Sequence, residues 1–303
     1  MNCLIIGYGS IGSRHVSILK GLNHHVSIVS SQDIEGFPCF YNIEKAFDEK
    51  AYEYVVISNR TCDHYPTLLD LVKIRYNGHL LIEKPLFEET KILPEHIPQH
   101  TFVAYNLRFH PVVRKLIDLT KDRDIYSIQA YVGQYLPQWR PHMSYTKCYS
   151  AYRTQGGGVL RDLSHELDYI TLITGGWYRV SAIGGRFSKL KIESDDLFCL
   201  LLETPRCPAV TIQMNYLDRK ARRKLIVNCS DFSIRADLIN NEIEVNAETI
   251  RYRNDRNTTY RDQHRAVLDG RTAELCTVQE GMAVLNLIEK AETAAAESIW
   301  TYR

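Results

Sequence analysis

The stretch that most limits the fold is "NCLIIGYGSIGSRHVSILKGL", Asn2 to Leu22. It opens with an apolar run of strand length, turns on three glycines, and continues with the spacing of a helix. Gly7, Gly9 and Gly12 stand in the G-x-G-x-x-G pattern, which is weak alone but informative between a strand and a helix. In that setting Gly7 permits a tight turn, Gly9 lets the backbone approach a pyrophosphate, and Gly12 lets the helix pack close to the strand. The helix start then offers free N–H groups and the positive end of its dipole to an anion. Gly7, Gly9, Ser10, Ile11 and Gly12 are therefore the expected cofactor contacts of a dinucleotide-binding domain, with a plain glycine turn as the alternative.

The alternation continues. "HHVSIVS" reads as a second strand and "YEYVVISN" as a third, followed by the helical "HYPTLLDLVKIRY"; "GHLLIEKPL" and "HTFVAYN" are further strands. Strands separated by helices or loops imply a parallel sheet with both faces covered. The second strand ends in "IVSSQD", with Ser30 and Ser31 where an acid would hold the ribose hydroxyls of NAD, and Asp33 slightly late. Serine tolerates a 2′-phosphate, yet no arginine follows directly to grip one. Arg14 is either that grip or a solvated helix side chain. NAD and NADP both stay open.

After about residue 106 the pattern changes. "HPVVRKLIDLTK" is helical, and "IYSIQAYVGQYL", "YRVSAIGGRFS", "LFCLLLETP", "PAVTIQMNYL", "KLIVNCS" and "FSIRADL" follow as closely spaced β pieces, which favour an antiparallel sheet. "VQEGMAVLNLIEKAETAAAES" closes the chain as a helix. A length of 303 residues fits two domains. The reading is α/β, with a dinucleotide-binding domain over 1–106 and a second domain over 107–303.

Bulk properties exclude some classes. A formal net charge of +1 gives no general attraction to nucleic acid. No apolar run approaches the roughly 18 residues of a membrane helix, and the N-terminal run has no basic leader or cleavage-like site. The eight cysteines form no CxxC or metal-like spacing, so no metal is expected, and free thiols in a reducing cytoplasm are the simplest reading.

Two motifs carry the chemistry. "IEKPL" sets Lys84 at the carboxyl end of a parallel strand, the edge where such sheets bind ligands. Its ammonium either hydrogen-bonds a substrate oxygen or pairs with Glu83 at the surface. "GGGVLRDLSHELDY", Gly156 to Tyr169, leads three glycines into helical spacing. On one wheel Leu160, Leu163, Leu167, Ile170 and Thr174 share a core face, and Asp162, His165 and Tyr169 share the opposite one. Asp162 and His165 at i, i+3 are neighbours, and a carboxylate beside an imidazole orients it and raises its basicity. That pair suits acid–base work on a hydroxyl, while the glycines let a large ligand approach the helix start. A solvated polar face is the bland alternative.

With "GYGSIGSRH", "EKPL" and "GGGVLRDLSHELDY" in this order and spacing, the chain resembles the glucose–fructose oxidoreductase / inositol dehydrogenase / MocA (Gfo/Idh/MocA) family, and within it a subgroup with a "DLSHE" helix motif. "VAYNLRFHP" resembles that family's domain crossover, and "ISNRTCDHY" its segment after the third core strand. The resemblance implies a Rossmann domain followed by an α/β domain with an open, mostly antiparallel sheet that forms a homodimer or homotetramer interface. It implies hydride transfer between NAD or NADP and a secondary alcohol of a carbohydrate, with Lys84 binding the reacting hydroxyl, His165 as general base and Asp162 beside it. Ser31, Asn59, His64, Glu83 and Lys84 join the implied cofactor contacts. Many members place the histidine four residues after the aspartate; here the spacing is three, which leaves the role of His165 open.

"YLPQWRPHMSYTKCYSAYRTQGGG" resembles the same subgroup, associated with bacterial surface-sugar pathways. It brings Trp139, Arg140, Tyr145, Tyr149 and Arg153 ahead of the helix motif. Aromatics stack on sugars, and arginines grip carboxylate or phosphate. Arg140, Tyr149 and Arg153, with Lys84, Asp162 and His165, are thus the expected substrate contacts for an anionic sugar: a sugar acid, a nonulosonic acid or a nucleotide sugar. An ordered loop with its own packing is the alternative. "DRKARRK" is a solvated turn or a phosphate contact, His264 lines the substrate side or a surface helix, and His110 caps or packs at the crossover. Two rival functions stay beside net redox chemistry: an epimerase or glycosidase using transient oxidation by bound NAD, and a non-catalytic sugar sensor.

Overall fold

The computed structural model describes residues 1–140 and 143–303. The chain divides into two compact units, one of Met1–Asn106 with Arg256–Met282 and one of Leu107–Asp255 with Ala283–Arg303. The first unit ends its opening segment at Asn106. The stretch Arg256–Met282, expected in the second domain, instead returns to the first. Its sequence shows no reason to leave, because what holds it is a long-range contact with the first helix.

In chain order, the first unit opens with β1 (Asn2–Ile6), α1 (Ser10–Gly21), β2 (His25–Val29), β3 (Cys39–Phe40), α2 (Ile43–Glu49), β4 (Tyr54–Ile57), α3 (Thr61–Lys73), β5 (His79–Ile82) and β6 (Thr101–Val103). The second unit follows with α4 (Pro111–Thr120), β7 (Ile125–Gly133), α5 (Val159–Asp162), α6 (His165–Thr174), β8 (Arg179–Gly185), β9 (Leu197–Glu203), β10 (Val210–Asn215), β11 (Arg222–Cys229), β12 (Ser233–Asp237), β13 (Glu242–Val245) and β14 (Glu248–Arg251). Then α7 (Thr258–Leu268) and β15 (Cys276–Thr277) rejoin the first unit, α8 (Val278–Glu297) carries the chain out again, and β16 (Thr301–Tyr302) ends it.

The first sheet has the order β15-β6-β5-β4-β1-β2-β3. Its first six strands are parallel, and β15 adds to β6 antiparallel. This is the doubly wound order, in which the direction of strand addition reverses between β1 and β4 and ligands bind beyond the carboxyl ends at that point. β1 and β4 are buried almost throughout, because helices cover parallel strands on both sides.

The second sheet has nine strands in the order β14-β13-β12-β11-β7-β10-β9-β8-β16. It is antiparallel except for the β7–β10 pair. Burial alternates along β7, β10 and β11, the mark of a sheet covered on one face. The other face exposes Tyr126, Ile183, Leu201 and Ile226. No helix among the described residues is long and apolar enough to cross a membrane.

Candidate functional site

In the first unit, the glycine turn is shaped by what it lacks. Gly7 has φ +97°, and a Cβ there would strike the backbone of Asn59 just after β4. A Cβ on Gly12 would strike the carbonyl oxygen of Gly7. At Gly9 nothing lies within 4 Å of where a side chain would begin. Gly9 is also the N-cap of α1, with no side-chain cap and no acid in the first turn. The early N–H groups of α1, including those of Ile11 and Gly12, thus remain available to an anion at an uncapped 12-residue helix, the donor set a pyrophosphate needs. Ser10 is exposed and Ile11 half-buried.

Beyond β2, Ser31 is exposed, while Ser30 Oγ accepts from the Gln32 N–H at 3.0 Å. Asp33 accepts from Tyr41 at 3.2 Å, and that bond pushes the Tyr41 phenol above its ordinary range. Arg14 lies over the Tyr260 ring at 5.1 Å, so α7 supplies a stacking partner at the position read as a phosphate grip or solvated side chain.

Lys84 follows β5 and is half-buried, joined to Pro85 by a cis peptide. Glu83, read as a surface ion-pair partner or cofactor contact, is 6% exposed and turned inward. Its Oε1 lies 2.9 Å from His15 Nε2, and its Oε2 accepts from the Lys84 N–H at 3.1 Å. His64 is buried under the same loop. Its Nδ1 lies 3.2 Å and 3.1 Å from the Pro85 and Leu86 carbonyl oxygens, so Nδ1 carries the proton. Burial lowers the His64 pKa and keeps the ring neutral. His64 Nε2 and Asn59 Oδ1 are buried acceptors with no partner among the described residues. Together with the uncapped α1, these acceptors at the carboxyl edge fit the amide and hydroxyl donors of a dinucleotide.

In the second unit, the motif helix is broken. Asp162 ends α5 and His165 begins α6, with Leu163 and Ser164 between them. The single wheel drawn from sequence therefore fails at its centre, and its polar face is not solvated: Asp162 is 5% exposed, His165 8%, Glu166 0% and Tyr169 1%. The glycines serve packing. A Cβ on Gly157 would strike the Tyr149 carbonyl, and one on Gly158, at φ +120°, would strike the Asp195 carboxylate. These spaces are filled by the protein, which replaces the expectation of ligand approach.

Each charge along the broken helix meets a counterpart. Arg108 clasps Asp168 through Nε at 2.9 Å and Nη2 at 2.5 Å. Arg223 pairs with Glu166 at 2.8 Å, and Tyr169 donates to the same carboxylate at 3.0 Å. Arg161 Nη1 bonds Glu292 at 2.5 Å. Asp195 accepts from the Leu160 N–H at 3.2 Å, and burial raises its pKa to about 6. His110 caps α4 through the Val112 N–H, and burial lowers its pKa to about 4.

Around Asp162 the structure gathers Tyr216, Tyr149, Arg140 and Trp139. Tyr216 donates to Asp162 Oδ2 at 2.6 Å. Burial first, and the Asp162 charge second, hold the Tyr149 and Tyr216 phenols far above their ordinary range, so both stay protonated donors. Arg140 lies 5.3 Å from the centre of the Tyr149 ring. Burial opposes its charge, yet Tyr149 and Asp162 raise its pKa. Trp139 packs edge-on to Tyr216 at 5.2 Å. Arg153 does not join this group; it is exposed and donates to Glu292 at 3.1 Å. Tyr145 instead accepts from the Lys191 N–H at 3.3 Å.

The sequence reading missed Tyr216, Asp195 and His15. Tyr216 carried one signal, a large polar aromatic at the end of an alternating strand. His264, read as substrate-facing or surface, is fully buried in the first unit.

A family model described as an oxidoreductase family with an NAD-binding Rossmann fold matches residues 1–105, and one described as the GFO/IDH/MocA C-terminal domain matches 112–235. Curated protein sequences gave no match. Among solved structures, the chain is similar to GenD2 of gentamicin A biosynthesis in complex with NAD (TM-score 0.81, 17% identity, 100% of this chain and 96% of that one). It is also similar to a levoglucosan dehydrogenase in complex with NADH and L-sorbose (0.85, 14%, 100% and 98%). A third is UDP-N-acetylglucosamine 3-dehydrogenase from Acidithiobacillus ferrooxidans (0.77, 17%, 98% and 98%). At such identities the likeness carries the fold.

Proposed function

Because this chain belongs to the Gfo/Idh/MocA family of oxidoreductases, with an NAD-binding Rossmann domain, we propose that it oxidises a carbinol carbon of a carbohydrate or reduces the corresponding ketone, with NAD preferred over NADP. The observation that carries this reading lies within the first unit. The uncapped glycine turn after β1, Asn59 after β4 and Lys84 after β5 all sit at the carboxyl edge of one parallel sheet. The 12-residue α1, Ser31, Asn59 and His64 would hold the dinucleotide. When bound, the nicotinamide supplies the hydride acceptor or donor.

The chain's own residues handle the proton. Lys84 hydrogen-bonds the reacting oxygen and favours its anionic form. His165 takes the hydroxyl proton in the oxidative direction and returns it in the reductive one. Asp162, held as an acceptor by Tyr216, orients the sugar. Lys84→Ala is expected to lower kcat by about 10²–10⁴-fold, and full turnover in that variant would overturn the mechanism.

The finer reading is an anionic sugar. Arg219 lies 3.5 Å from the Tyr135 ring centre, and Lys220 is exposed beside it on the turn after Tyr216. Arg140, beside Tyr149 and Asp162, adds a partly buried cation within the second unit. The name of the UDP-N-acetylglucosamine neighbour supports the same chemistry. The test is a panel of UDP-N-acetylglucosamine, N-acetylneuraminate, glucuronate and glucose with both cofactors, following absorbance of the reduced nicotinamide. Faster turnover of the charged members supports the reading; preference for glucose overturns it.

The apolar outer face of the nine-stranded sheet supports a homodimer or homotetramer, and Ile226→Lys should shift sedimentation toward the monomer. Eight cysteines without a disulfide support a cytoplasmic setting.

A further inference from the structure

Four buried side chains of the first unit form a continuous line of hydrogen bonds. Tyr54 Oη lies 2.9 Å from His264 Nδ1, His264 Nε2 lies 2.9 Å from His15 Nδ1, and His15 Nε2 lies 2.9 Å from Glu83 Oε1. The second oxygen of Glu83 accepts from the peptide N–H of Lys84. Tyr54, His15 and His264 have no exposure at all. Three members come from β4, α1 and the end of β5. The fourth arrives on α7, which is 249 residues beyond His15 at the contact.

Valence fixes the protons. A carboxylate only accepts, so His15 Nε2 carries a hydrogen. One proton lies between the two imidazoles. If His15 donated it, His15 would be a cation and His264 would present Nδ1–H to the Tyr54 oxygen. The Tyr54 hydroxyl would then have no acceptor among the described residues, and a buried donor left unpaired costs its full desolvation penalty. In the opposite direction every group is satisfied. Tyr54 O–H donates to His264 Nδ1, His264 Nε2–H to His15 Nδ1, and His15 Nε2–H to Glu83. Burial also holds the His264 pKa well below the ordinary imidazole range, so it is neutral. Bonds aligned in one direction polarise one another and strengthen the chain.

We propose that the Tyr54–His264–His15–Glu83 line is a one-way hydrogen-bond chain that fixes the peptide of Lys84, making His264 and His15 positioning residues for that lysine. This rests on the reading of Lys84 as catalytic. On the other side of the loop, His64 holds Pro85 and Leu86. The segment carrying Lys84 is therefore pinned by α1 and α3 together, and α7 supplies the end of the chain that neither can make.

Two measurements on the full-length protein test it. Long-range nitrogen-15 correlation spectra of the imidazoles at neutral pH should show His15 and His264 as neutral Nε2–H tautomers. A cation or an Nδ1–H tautomer at either position overturns the proposal. Kinetics with whichever panel sugar reduces the cofactor gives the second test. His264→Gln can donate to His15 and accept from Tyr54 through one amide, and should keep most of kcat. His264→Leu fills similar space without either bond, and should lower kcat by roughly tenfold to a hundredfold, the scale of a small misplacement, while NAD affinity by calorimetry stays unchanged. Equal kcat in the two variants overturns the proposal. If His264→Leu does not fold, Tyr54→Phe removes the first donor alone and should mix the His264 tautomers; an unmixed tautomer overturns it. Lys84→Ala separates the two readings. Full turnover there refutes the catalytic assignment and leaves the tautomers as they are.

Discussion

The glycine turn of the first unit and the α5–α6 segment of the second treat polar groups in opposite ways. At the turn, Gly9 faces open space and the first N–H groups of α1 have no side-chain cap. Along α5–α6, Asp168, Glu166, Arg161 and Asp162 each meet a donor or counter-ion from elsewhere in the second unit. One region is prepared for a charge that the protein does not itself supply. The other has already matched its charges, and so gains a fixed shape. Binding an anion needs unspent donors; holding an acid and a base in place needs spent ones.

The largest effect expected from breaking this contrast is at Arg108. Removing it leaves the Asp168 carboxylate 2% exposed without its bidentate partner. Arg108→Ala should cost about 3–5 kcal/mol and lower Tm by roughly 10 °C. Calorimetric melting checks it, and a negligible shift would show that matched charge is not what holds α6.

A smaller effect, with a defined pH signature, is expected at Asp195. Its pKa is raised from 3.8 to about 6 in the folded protein, chiefly by burial. The folded state therefore binds the proton more tightly than the unfolded one. The associated stability is full below about pH 4 and is lost as pH rises through 6, a difference of up to about 3 kcal/mol. Asp195→Asn keeps an oxygen for the Leu160 N–H and removes the titration. It should match the parent near pH 4, exceed it at pH 7, and flatten Tm against pH between them. A parent profile with no slope in that window would remove the claim.

These two regions also differ in how far sequence discloses them. The glycine turn is built by residues five positions apart on one strand–helix junction, so its spacing is its structure. Lys84 was visible for the same reason, as the residue between a strand end and Pro85. The α5–α6 segment takes its partners from Arg108, Tyr216, Arg223 and Glu292, and nothing local says which arginine of a long loop will turn inward. Arg140 and Arg153 look alike in sequence; tertiary packing sends one to Tyr149 and the other to an exposed pair with Glu292. The break at Leu163–Ser164 was hidden because a continuous wheel explained the same apolar residues. His264 was hidden because its partners lie 210 and 249 residues away.

Tyr216→Phe probes the saturated region more gently. It deletes one donor to a buried carboxylate and leaves the ring packed against Trp139. The expected loss is about 1–3 kcal/mol, with kcat falling more than the NAD affinity. Unchanged melting and turnover would mean that Tyr216 does not fix Asp162.

Gly9→Ala gives the smallest change in stability and the cleanest separation of the two regions. Gly9 has φ −83°, which alanine adopts without strain, and no atom lies near the added carbon. Replacing glycine at such a position removes freedom mainly from the unfolded chain, a gain of about 0.4–1 kcal/mol. The added methyl occupies the space through which a pyrophosphate would approach α1. Tm should therefore rise slightly while NAD affinity, measured by calorimetry, falls. The two readouts moving in opposite directions would show that the space at Gly9 is kept open for a ligand at a cost in stability. Tighter or unchanged NAD binding would mean that the open turn is a packing accident, and that the contrast with α5–α6 says nothing about where the cofactor sits.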